Sequence, residues 1–159
     1  MLPKINTILY ACDLEGQTHS TLELVLSLAK SHQAKVVLMH AIEPLNPQAA
    51  NMISTYITDE AMKSIQQESI QNRQNQINKV LSDFMDKHAE ELATLETPET
   101  LIITGYPNNS IQDIAAEKQA DIIVMNSRTH SRLEQIMIGS TANKVIHSSQ
   151  IPVLVVPIK

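Results

Sequence analysis

Asp121-Ile-Ile-Val-Met-Asn126 is a short, nearly unbroken apolar run rich in β-branched residues. A strand with one wet face alternates apolar and polar side chains. A run like this one suits a strand covered on both faces, as in a parallel sheet. Four other segments read the same way. They are Thr7-Ile-Leu-Tyr-Ala-Cys-Asp13, Lys35-Val-Val-Leu-Met-His-Ala-Ile42, Thr100-Leu-Ile-Ile-Thr104 and Pro152-Val-Leu-Val-Val156.

Helical patterns lie between these strands. Ser20-Thr-Leu-Glu23 has the form of a capping box, followed by an apolar face of Leu22, Val25, Leu28 and Ala29. Asn109 to Lys118 carries Ile111, Ile114 and Ala115 on one side. Ser140, after Gly139 and ahead of Val145 and Ile146, is expected to be an N-cap. A long helix is expected over about 59–95, where Ile77, Val80, Leu81, Phe84, His88 and Leu92 recur at three- and four-residue steps. Its middle, Gln66 to Gln76, has one apolar residue, Ile70, so this part is expected to project beyond the core or to break. The stretch 43–57, with Pro44 and Pro47, is expected to be a loop over the sheet edge.

The order β-α-β-(loop)-α-β-α-β-α-β predicts a single-domain α/β fold over residues 1–159, a three-layer sandwich around a five-stranded parallel sheet. Such sheets bind ligands beyond the carboxyl ends of their strands, where the strand order reverses. The candidate positions are therefore Asp13, His40 to Ile42, Tyr106 and Pro107, and Asn126 to Arg128.

Composition narrows the chemistry. Three glycines in 159 residues, Gly16, Gly105 and Gly139, stand far apart. They cannot form a GxGxxG fingerprint, and no GK[ST] triplet occurs. One cysteine excludes a disulfide framework and a multi-thiolate metal site. A net charge of -5 argues against nucleic acid as a partner, and aromatic residues at 3% offer little for base stacking. No apolar run reaches membrane-spanning length. The opening Met-Leu-Pro-Lys-Ile-Asn leads into a strand without a signal-like apolar stretch, so a cytoplasmic location is expected.

Single residues have plain structural readings. Cys12, inside a buried strand with no evident base, is read as a small core residue rather than a nucleophile. The six histidines form no HxxxH or HxH pair, so no metal centre is expected. His40 and His130 fall near the expected crevice and are read as satisfied polar side chains.

The aspartate ending Ile8-Leu-Tyr-Ala-Cys-Asp13, His40-Ala41, Gly105-Tyr-Pro107 with Ile111, and Ala120-Asp-Ile-Ile-Val-Met125 followed by Gly139-Ser140 and Ile151-Pro-Val-Leu-Val-Val-Pro157 together resemble the universal stress protein family. The resemblance spans essentially the whole chain. It implies a Rossmann-like sheet of the adenine nucleotide alpha hydrolase type and a dimeric stress-response protein that acts by binding rather than catalysis. Nucleotide-binding members carry Gly-x-x-Gly, nine residues, then Gly-Ser or Gly-Thr. In this sequence those glycines fall on Asn126, Thr129 and Gly139, and only the last is kept.

Asn tolerates a positive φ better than most residues, so Asn126 is expected to keep the turn, whereas β-branched Thr129 is not. The start of the helix at Gly139-Ser140-Thr141 remains favourable to an anion, with Arg128, Arg132 and Lys144 in the same region. The resemblance implies that Asp13 meets a ribose and that Ala41 and Met125 line an adenine slot. Asn126, Ser127, Arg128 and Thr129 form the adjoining turn. Two alternatives stay open. In the first, the crevice is empty and no cofactor is required. In the second, ATP or AMP, with or without Mg²⁺, binds there. A weak ATPase using Asp13 and Glu15 on Mg²⁺ is a further alternative. The resemblance also implies a homodimer joined through the strand at 151–157, which would otherwise leave a sheet edge unpaired. Other protein partners are not identified by the sequence.

Overall fold

The computed structural model describes residues 1–14, 18–127 and 138–158. The elements run β1 (Thr7–Ala11), α1 (Thr18–His32), β2 (Lys35–Ile42), α2 (Pro47–Ser54), α3 (Asp59–Lys87), β3 (Glu99–Thr104), α4 (Pro107–Glu117), β4 (Ile122–Ser127), α5 (Ser140–Ser148) and β5 (Val153–Pro157). The five strands form one sheet in the order β3-β2-β1-β4-β5. Every pairing is parallel, with β1 in register against both β2 (Ile8 beside Val36) and β4 (Ile8 beside Ile122). The order therefore reverses at β1, and a crevice opens between the carboxyl ends of β1 and β4.

Alternation along the strands divides the core into two layers. Ile8, Tyr10, Val36, Leu38 and Val124 face α1 and the second half of α3, where they meet Leu22, Val25, Leu26, Ile77, Leu81 and Phe84. Leu9, Val37, Met39, Ile123 and Met125 face α4 and α5, where they meet Ile111, Ile114, Ala115, Ala142 and Val145. Leu9 and Ile123 are fully buried at the sheet's centre. Burial of a side chain of this kind contributes about 1.5–3 kcal/mol. Continuous apolar strands thus arise because both faces of the sheet are covered.

Some local expectations are corrected. The stretch 43–57 contains α2, whose N-cap Asn46 accepts from the Ala49 N–H at 2.8 Å, with Pro47 in the first turn. Proline breaks a helix interior but suits its first turn, so Asn46-Pro47 starts a helix here. The long helix ends at Lys87, and 88–95 continue as turns that still carry Leu92 into the core. Of the two expectations for the polar middle, projection holds and a break does not: 66–76 stay helical, with no residue buried. The first helix starts at Thr18, so Ser20 and Glu23 lie on its exposed side instead of forming a capping box. Ser140 is the first helical residue of α5. Gly139 holds the N-cap position, and no side chain caps that end.

Candidate cleft at the carboxyl ends of the strands

A cleft of about 380 Å³ lies at the carboxyl ends of β1, β2 and β4. Asp13, Ala41, Met125, Asn126, Gly139, Ser140 and Thr141 all line it, so seven of the residues singled out from the sequence converge on one space. Ala11, Met39, Ile111 and Ala142 add apolar wall from the α4–α5 side. Ser127 is buried at the end of β4 and is not among the lining residues. Arg128 and Thr129 lie outside the described residues, as do Arg132, His130 and Glu15. Lys144 is exposed on α5 and does not line the cleft.

The chain leaves β1 under tight control. Cys12 N–H donates to Met39 O at 2.7 Å, which extends the pairing of β1 with β2 by one residue. His40 Nδ1 donates to Cys12 O at 2.9 Å, so this ring is satisfied by backbone, as the sequence reading expects. Thr18 Oγ1, at the start of α1, donates to Asp13 O at 2.9 Å. Together these bonds fix the backbone on both sides of Asp13. The Cys12 thiol is buried, and that burial pushes its pKa up to about 11. At neutral pH it stays a thiol, in keeping with a core role.

Asn126 departs from expectation. It is not in the left-handed region, where the described non-glycine residues are Gln33 and Gln119 only. It belongs to β4, in register with Val156 of β5. Its Oδ1 accepts from Tyr10 OH at 2.8 Å, and its Nδ2 donates to Thr21 Oγ1 of α1. Tyr10 is fully buried, and desolvation raises its pKa, so the phenol remains neutral and needs this acceptor. The side chain that stands at the first family-glycine position therefore ties β4 to β1 and α1. Gly139 also has ordinary geometry. Its φ of -59° and ψ of 158° are open to any residue, so its backbone conformation does not require glycine.

The sequence reading missed the contribution of α3. Ser69 and Arg73, one turn apart in the polar middle, both line the cleft. Gln76, on the same face, donates from Nε2 to Leu14 O at 3.1 Å, and its Oε1 accepts from Arg73 Nη1 at 3.2 Å. A signal was present. Ser69, Arg73 and Gln76 follow the i, i+4, i+7 spacing of one helical face, just before the apolar series Ile77, Leu81 and Phe84 begins.

Comparison with known proteins agrees with this architecture. The model of the universal stress protein family matches residues 4–157. Universal stress protein YxiE of Bacillus subtilis is 28% identical over 156 residues, covering 95% of this chain and 98% of that protein. Universal stress protein MJ0577 of Methanocaldococcus jannaschii is 26% identical over 150 residues, covering 94% and 93%. The solved structure of MJ0577 superposes with a TM-score of 0.62 over 99% of both chains. A universal stress protein crystallised in complex with cAMP shares the fold, with a TM-score of 0.62 at 18% identity over 99% of this chain and 100% of that one. No helix among the described residues is long and apolar enough to cross a membrane. With its five-stranded order, its switch-point cleft and a family match from Lys4 to Pro157, the chain belongs to the universal stress protein family.

Proposed function

We propose that this protein works by binding an adenine nucleotide, as a stress-response protein rather than an enzyme. One observation carries the reading: Asp13, the Ala41–Met125 wall and the amino end of α5 line a single cleft with Arg73. The chemistry is complementary in three parts. The apolar wall suits a flat heterocycle. The Asp13 carboxylate can accept from ribose hydroxyls. The α5 amino end offers free N–H groups to an anion. The altered glycine pattern fits a weaker phosphate site more than a lost one, because Asn126 replaces its glycine from within a strand.

Titration calorimetry with ATP, AMP and cAMP, with and without Mg²⁺, tests the proposal. Micromolar binding, weakened at least tenfold in Asp13→Ala, is the expected result. No heat with any of the three restores the alternative in which the crevice is empty and the protein acts through protein contacts alone. Phosphate release from ATP and Mg²⁺ tests the weak ATPase alternative, and none is expected.

A second reading concerns assembly. β5 is an edge strand whose residues Val153 to Val156 are half-buried, leaving apolar surface on both faces. A two-fold copy of the same strand is one way to close such an edge. We propose a homodimer through 151–157, in line with the family resemblance. Sedimentation equilibrium at micromolar concentration is expected to give twice the chain mass.

A further inference from the structure

We infer that Arg73 grips the phosphate of the bound ligand, so that α3 sets the preference for nucleoside phosphates over nucleosides. This rests on the nucleotide reading of the cleft. Arg73 is the one lysine or arginine that lines the cleft among the described residues. It is half-buried, whereas its neighbours Asn72 and Asn75 are exposed.

Its position is fixed through Gln76. The two ends of one amide are used in complementary senses: Oε1 accepts from Arg73 Nη1, and Nε2 donates to Leu14 O. Leu14 directly follows Asp13, so the tether fastens α3 to the chain leaving β1 and holds the guanidinium beside the Asp13 segment. The opposite wall is Gly139 to Thr141, where α5 begins. An anion between the two walls meets a guanidinium on one side and helix N–H groups on the other. A guanidinium suits this role because its planar fork matches two phosphate oxygens at once. The inference also explains why the segment from Gln66 to Gln76 stays helical with almost no core to serve: it carries Ser69 and Arg73 over the cleft.

Calorimetry with adenosine and with AMP on the wild type, Arg73→Ala and Arg73→Lys tests the inference. In Arg73→Ala, AMP affinity is expected to fall at least tenfold while adenosine affinity stays within twofold. Arg73→Lys, which keeps the charge and loses the fork, is expected to fall between. An equal loss for both ligands assigns Arg73 a structural role and overturns the inference, as does unchanged AMP affinity. Either result leaves the nucleotide reading standing. If neither adenosine nor AMP binds the wild type, the inference is overturned, and the nucleotide reading fails with it only if ATP and cAMP give no heat either.

Discussion

The two ends of the sheet use similar residues for opposite purposes. At the amino ends, Asp121 accepts from the N–H groups of Asn6 and Thr7 at 2.7 and 2.9 Å, joining the entry of β4 to that of β1. The turns there close on backbone. Gln33 and Gln119 adopt positive φ after α1 and α4, and Ala34 and Ala120 donate to Ala29 O and Ala115 O. This is the helix ending that glycine usually serves. At the carboxyl ends, Asp13 lines a cleft instead, and the main-chain bonds around it leave room for a ligand. The same residue type thus closes one end and furnishes the other. What differs is position: Asp121 precedes its strand at the closed end, and Asp13 follows its strand in the lining of the cleft.

Asn126 complicates this division, because it stands at the cleft end yet is bonded like a residue of the core. Asn126→Gly, which restores the family residue, is expected to destabilise the protein by about 3 kcal/mol. It strands the buried Tyr10 hydroxyl and places a glycine within a strand. Asp121→Ala, at the other end, is expected to cost about 2 kcal/mol by removing two charge-assisted bonds to backbone. Urea denaturation of both variants checks the pair. A neutral Asn126→Gly would return that position to the cleft and sharpen the division between the ends. A neutral Asp121→Ala would break it.

The same contrast explains what the sequence reveals. The five strands were legible because burial on both faces leaves a continuous apolar run, and β2 spans the residues read for it, Lys35–Ile42. The positions around the cleft followed from topology, because ligands sit where strand order reverses. Arg73 was not legible in the same way. It reaches the cleft only because α3 is long enough to carry its polar half past the core, a fact of three-dimensional length that hydrophobic periodicity does not report. The role of Asn126 was hidden for a related reason. A motif compares residue types along the chain, whereas its partners Tyr10 and Thr21 are more than a hundred residues away.

The smallest expected effect concerns the surviving family glycine and separates two reasons for having one. At Gly105 a Cβ would lie 2.6 Å from Ser110 Oγ, whose residue is buried at the start of α4, so a side chain there needs that hydroxyl to turn away. Gly139 has no such requirement from its backbone, since its φ is -59°. Gly139→Ala is therefore expected to change stability by no more than about 0.5 kcal/mol, the less flexible unfolded chain offsetting the poorer N-cap that alanine makes. If the glycine serves the close approach of an anion to the α5 amino end, the added methyl group should still weaken AMP binding several-fold. Thermal unfolding and calorimetry on the same variant measure both quantities. A loss of more than 1 kcal/mol with unchanged AMP affinity would make Gly139 a residue the fold needs and would remove it from the cleft's binding surface.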